Sequence, residues 1–131
     1  MGLAAGEEEA AVVGVRVAVL VVEDEAIVRM NTVLMLEDLG FEVLEAGDGC
    51  QALAVLEGRP DVSVLLTDCR IPRMSGPDLA EIATARWPHL RVVLVSGYFD
   101  GAAPKRWPLL GKPYQMSDLR RMLGTGGVAE R

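Results

Sequence analysis

The chain reads as a doubly wound α/β domain, a parallel β-sheet covered by helices on both faces. Three observations predict it. Short apolar runs of strand length alternate with longer segments of helical period along the whole chain, the pattern that builds crossover units. The strand runs are apolar almost throughout, as strands buried on both faces must be. Finally, these runs break off at polar groups: Glu23-Asp24, Asp68, Ser96 and Lys112. In a parallel sheet such ends share one edge, where open α/β sheets bind ligands.

Taken in order, residues 1–13 hold Glu7-Glu8-Glu9 and read as a flexible acidic tail without the basic segment of a secretory signal. Residues 15–22 form the first strand. The apolar stretch around it is interrupted by Arg16 and is too short to span a bilayer, so no membrane insertion is expected. A helix follows over 26–39, with Ile27, Met30 and Leu34 recurring on one face and Gly40 at its stop position. Residues 41–44 make a second strand. Asp48 caps a helix in which Ala52, Leu53 and Leu56 share a face before Gly58 and Pro60 end it. The third strand, 62–67, runs into Asp68; Pro72 and the Met74-Ser75-Gly76 turn prevent its continuation. Pro77 fits the first turn of a helix with Leu79, Ile82 and Ala83 facing inward, up to Trp87-Pro88. Residues 91–95 form the fourth strand, and Leu109-Leu110 a brief fifth. Pro108 makes that last one an edge strand, because proline is tolerated in sheets only at edges. Ser117 caps a final helix with Leu119, Met122 and Leu123. The domain is expected to cover 14–124, leaving 125–131 as a flexible tail.

Composition narrows the function. With 131 residues, half of them apolar, the chain makes one domain with one core. Lysine and arginine number 13 against 19 aspartates and glutamates, a net charge of −6, which argues against nucleic acid as a partner. Cys50 and Cys69 fit neither a zinc site nor a disulfide scaffold, consistent with reduced thiols in the cytoplasm. Cys69 should point into the core by strand alternation. Trp87 and Trp107 cover apolar surface, and His89, the sole histidine, falls in a surface turn after Pro88.

Each strand-end group has a plain reading alone. Asp68 would be a cap or turn aspartate, Glu23-Asp24 a solvated helix start, Ser96 a turn residue and Lys112 a surface lysine. Together they make a chemical site. Three carboxylates in one crevice repel each other unless a cation neutralises them, and an all-oxygen set suits Mg²⁺. Lys112 can pair with Asp68 at rest and with a phosphoryl oxygen if Asp68 becomes phosphorylated, while Ser96 donates to the same group. Aspartate is an established nucleophile in phosphoryl transfer.

Over residues 16–123 the chain resembles the receiver domain of two-component response regulators. The matching segments are Val19-Leu20-Val21-Val22-Glu23-Asp24-Glu25, Leu66-Thr67-Asp68-Cys69-Arg70-Ile71-Pro72-Arg73-Met74-Ser75-Gly76, Val95-Ser96-Gly97-Tyr98 and Lys112-Pro113-Tyr114. The resemblance implies a flavodoxin-like, five-stranded sheet in the order 2-1-3-4-5. It implies Asp68 as phosphoacceptor, with Glu23, Asp24, Asp68 and the backbone carbonyl of Arg70 holding Mg²⁺. Ser96 would be the switch hydroxyl and Lys112 the phosphate-contacting lysine, preceding a cis Pro113. The donor would be a histidine kinase or a histidine phosphotransfer protein. Such a domain catalyses its own phosphorylation and dephosphorylation rather than turning over a separate substrate, and signals by partner binding or onward transfer.

The chain departs from the family pattern in two places. Leu109 stands at the aromatic switch position, three residues before the lysine, and the segment between Ser96 and Lys112 is several residues short. Gly97, Gly101 and Pro104 divide that segment, and interior glycine costs about 1 kcal/mol and proline about 3 relative to alanine in a helix. The helix between strands four and five is therefore expected to be reduced or absent. Two rival functions remain open: a Mg²⁺-dependent phosphatase or phosphotransferase acting on small molecules, and a degenerate receiver serving only as a protein-binding module. Against the first, Arg70 stands two residues after Asp68, where such enzymes place a second acid, and Gly111-Lys112 lacks the glycine and Ser/Thr of a P-loop.

Overall fold

The structure, a computed structural model, describes residues 16–97 and 106–126. The described elements follow in the order β1 (Ala18–Val22), α1 (Ala26–Asp38), β2 (Glu42–Ala46), α2 (Gly49–Gly58), β3 (Val64–Asp68), α3 (Gly76–Arg86), β4 (Arg91–Ser96), β5 (Leu109–Gly111) and α4 (Met116–Leu123). All strand pairs are parallel, in the expected order β2-β1-β3-β4-β5. β5 is an edge strand, with the Pro108 carbonyl accepting from the Leu94 N–H at 2.9 Å. The Lys112–Pro113 bond is cis, as expected. The shortened helix expected between β4 and β5 concerns residues 98–105, which lie outside those described, as do 1–15 and 127–131.

Alternation along the strands sorts the core into two layers even though the runs are apolar throughout. Leu20, Val22, Leu65 and Leu94 face α2 and α3, against Ala52, Leu56, Leu79 and Ala83. Val19, Val21, Leu66 and Val93 face α1 and α4, against Leu36 and Leu119. Each such leucine or valine contributes about 1.5–3 kcal/mol by leaving water. Cys69, Trp87 and Trp107 pack at the margin of the first layer, as anticipated, and His89 is exposed in its turn.

Three expectations need correction. In α1 the apolar face of Ile27, Met30 and Leu34 points to solvent, at 78%, 56% and 56% exposed; the helix buries Thr32, Val33 and Leu36 instead. The helix is apolar nearly all round, so its pattern offers more than one candidate face; Leu36, with Leu39 and Phe41 just beyond, completes the second layer and settles which one is used. In α3, Ile82 is at the rim, 39% exposed, while Leu79, Ala80 and Ala83 carry the packing. In α4 the cap is Gln115 rather than Ser117. The Asp118 carboxylate accepts from the Gln115 N–H at 2.8 Å in a reciprocal capping box.

Past α4, Gly126 is pinned to the domain: its N–H donates to the Leu39 carbonyl at 3.1 Å and its carbonyl accepts from Val17 at 3.2 Å. A β-carbon there would lie 2.2 Å from the Phe41 ring, so only glycine fits. The first residues of the expected tail thus lie against the sheet edge.

Candidate functional site

The strand register brings the polar ends together. Val22 pairs with Thr67, Asp68 with Val95 and Ser96 with Gly111, so Glu23, Asp68, Ser96 and Lys112 emerge at one level of the sheet edge. Glu23 is 5% exposed. Its backbone carbonyl accepts from Arg29 Nη1 at 2.7 Å, and its Oε2 accepts from the Glu25 N–H at 3.1 Å. Asp24, beside it, is exposed. Carboxylate oxygens of Glu23, Asp24 and Asp68 lie within 4.8 Å of one another.

Lys112 closes this acidic cluster. Its Nζ donates to Glu23 Oε1 at 2.7 Å and to Asp68 Oδ2 at 2.9 Å. Burial works against the ammonium charge, but the hydrogen bonds and charges of the two carboxylates outweigh it and hold the Lys112 pKa well above the ordinary lysine range. One ammonium against three carboxylates leaves net negative charge. Clustered hard oxygen donors with a lysine already acting as counter-cation fit a Mg²⁺ ion, which takes one or two carboxylates and keeps several water or phosphate oxygens.

Asp68 is presented by a loop fixed at both ends. The Cys69 N–H still donates to the Val95 carbonyl at 2.8 Å, and the Gly76 N–H returns to the Cys69 carbonyl at 2.8 Å. Arg70 and Ser75 form an isolated antiparallel bridge, and Arg73 makes the bend in the left-handed region at φ 79°. A β-carbon at position 76 would stand 2.3 Å from the Asp68 carbonyl oxygen, so the close approach demands glycine. Ser75 Oγ then caps α3 by accepting from the Asp78 N–H at 3.1 Å. Behind Asp68, burial raises the Cys69 thiol pKa, with the aspartate charge adding to it; a thiol held protonated is a poor competing nucleophile.

Asp68, Arg70, Ser96, Gly97 and Lys112 line a cleft of about 210 Å³. A broader groove of about 700 Å³ adjoins it, lined by Ile27, Met30 and Leu34 of α1 and by Pro113 and Tyr114, and shares Gly97 and Lys112 with the cleft. All six residues singled out in the sequence therefore lie at the same edge. Sequence reasoning missed the Glu23–Lys112 contact, the Arg29 brace and the need for glycine at 76. It also missed the hydrogen bond between Thr32 Oγ1 and the Tyr114 hydroxyl, at 2.5 Å. Only Gly76 had a signal, its place in the turn after Asp68.

Residues 19–123 match the family model of the response regulator receiver domain. The chain belongs to this family. Among curated proteins, this receiver is 34% identical over 107 residues to the response regulator receiver protein CpdR of Brucella abortus, covering 77% of this chain and 88% of CpdR. It is also 34% identical over 108 residues to the sensor kinase CckA of the same organism, covering 77% of this chain but 11% of the kinase. Among solved structures, the receiver domain of the hybrid histidine kinase CckA superposes with a TM-score of 0.70 at 33% identity, covering 81% of this chain and 94% of that one. The receiver thus spans nearly all of CpdR and a small part of CckA. Among its described residues, no helix is long and apolar enough to cross a membrane.

Proposed function

We propose that Asp68 is the phosphoacceptor of a two-component or phosphorelay system in the cytoplasm, taking its phosphoryl group from a phosphohistidine on a histidine kinase or histidine phosphotransfer protein. The observation that carries this reading is the Asp68 carboxylate held 2.9 Å from Lys112 at the mouth of a cleft shared with Ser96. An Asp68 carboxylate oxygen attacks phosphorus; the P–N bond breaks as the O–P bond forms, and the imidazole departs with the bonding pair and takes up a proton. Lys112 then follows the charge from the Asp68 carboxylate to a phosphoryl oxygen. The Ser96 hydroxyl donates to another, drawing the β4 end toward the site. Glu23, Asp24, Asp68 and the Arg70 carbonyl would hold Mg²⁺, which when bound neutralises charge on the transferring oxygens.

The new group adds about −1.5 to −2 charges at pH 7; the output is binding of a downstream protein or onward transfer. The exposed Ile27, Met30 and Leu34 continue from the Lys112 side of the cleft, so they form the surface on which the donor protein docks. Incubation with Mg²⁺ and phosphoramidate, followed by borohydride reduction and peptide mapping, tests the assignment. Reduction of an aspartyl phosphate should leave homoserine at position 68; homoserine at another aspartate, or 2-amino-5-hydroxypentanoic acid at a glutamate such as Glu23, in its place would overturn it.

A further inference from the structure

We propose that the Tyr114 hydroxyl is a positioning group for Lys112, acting through its hydrogen bond to Thr32 on α1. The inference rests on the roles given above to Lys112 and Asp68.

Lys112 directly follows β5, a strand of three residues on the sheet edge. On its N-terminal side the backbone is anchored, because the Lys112 N–H donates to the Ser96 carbonyl at 2.9 Å. The next residue, Pro113, has no N–H with which to anchor the chain. Tyr114, the residue after it, is anchored by its side chain. Its ring packs against the α1/α4 layer of the core, and its hydroxyl lies 2.5 Å from Thr32 Oγ1. Thr32 is 2% exposed and sits in mid-helix. The bond joins positions 82 residues apart and ties the loop carrying the lysine to the helix that follows Glu23 and Asp24.

The lysine needs such a tie. Its Nζ sits at the end of a flexible four-carbon stem yet meets two carboxylates at 2.7 and 2.9 Å, which requires its backbone to be held. Thr32, Tyr114 and Lys112 also line the same groove, so whatever fills that groove touches both ends of the tie and the lysine it controls.

Phosphorylation by phosphoramidate with Mg²⁺, measured beside Mg²⁺ affinity by calorimetry, tests this. Tyr114→Phe keeps the ring and loses the hydroxyl; Thr32→Val keeps the shape and loses the hydroxyl; Thr32→Ser keeps the hydroxyl. The two hydroxyl-deleting variants should phosphorylate about three- to tenfold more slowly, the worth of one hydrogen bond, with Thr32→Ser within about twofold of wild type. Mg²⁺ affinity should not weaken in any of them, because Lys112 competes with a cation for the Glu23 and Asp68 oxygens and loosening it relieves that competition. A labelled wild type with an unchanged rate in either hydroxyl-deleting variant overturns the inference and leaves the proposed function standing. Loss of rate together with loss of Mg²⁺ affinity also overturns it, since the whole site would then have loosened. An unlabelled wild type overturns the proposed function, and this inference with it.

Discussion

At the scale of single residues, the site is a matter of charge kept under control. Asp24 is the exposed member of the carboxylate cluster, so its oxygens are the most open to an incoming ion. Asp24→Ala should weaken Mg²⁺ binding at least about tenfold by calorimetric titration, since Mg²⁺ is held through only one or two carboxylates; undiminished affinity would contradict the assignment. Gly76 has a steric role. Gly76→Ala places a methyl 2.3 Å from the Asp68 carbonyl oxygen and should cost about 1–3 kcal/mol in a urea melt, because the obstruction is backbone that must shift. Lys112 binds its proton more tightly folded than unfolded, so its contribution to stability is complete below the ordinary lysine range and is lost as pH rises through the folded value. In metal-free protein, the stability difference between wild type and Lys112→Met should hold steady from about pH 7 to 9 and shrink only above about 10.4. Shrinkage already between pH 7 and 8 in denaturant melts would contradict the ion-pair account.

At the scale of elements, α1 carries two apolar faces. One face, Val33 and Leu36, is core: Leu36→Ala should cost about 2–5 kcal/mol. The other, Ile27, Met30 and Leu34, is solvent-facing, so Met30→Gln with Leu34→Gln should change stability by no more than about 0.5 kcal/mol per site. The same pair of changes should slow phosphotransfer from a phosphohistidine protein while leaving phosphorylation by phosphoramidate at the wild-type rate. Equal transfer rates from the protein donor would show that the groove is not the docking surface. The period of α1 does not tell these faces apart, because apolar residues recur at helical spacing on both. The cap of α4 was hidden for a related reason: Ser117 has the preferred cap chemistry, but the Gln115–Asp118 pair satisfies two backbone donors where one serine satisfies one.

At the scale of the molecule, most of the architecture was legible because local and global signals agree. Apolar strand runs, helix punctuation by Gly40 and Gly58, and polar strand ends all demand the same parallel sheet, and register then brings Glu23, Asp68, Ser96 and Lys112 to one edge. What stayed illegible depends on contacts between distant segments. Nothing near Thr32 in sequence announces a partner at Tyr114, and nothing near Glu23 announces that Lys112 will meet it as closely as it meets Asp68. The central claim is that this edge exists to make Asp68 a phosphoacceptor. Intact mass after incubation with Mg²⁺ and phosphoramidate, wild type beside Asp68→Ala, tests it most directly. One phosphoryl increment is expected on the wild type, stable in acid, lost in base and absent from the variant; the same increment on Asp68→Ala would show that Asp68 is not the acceptor.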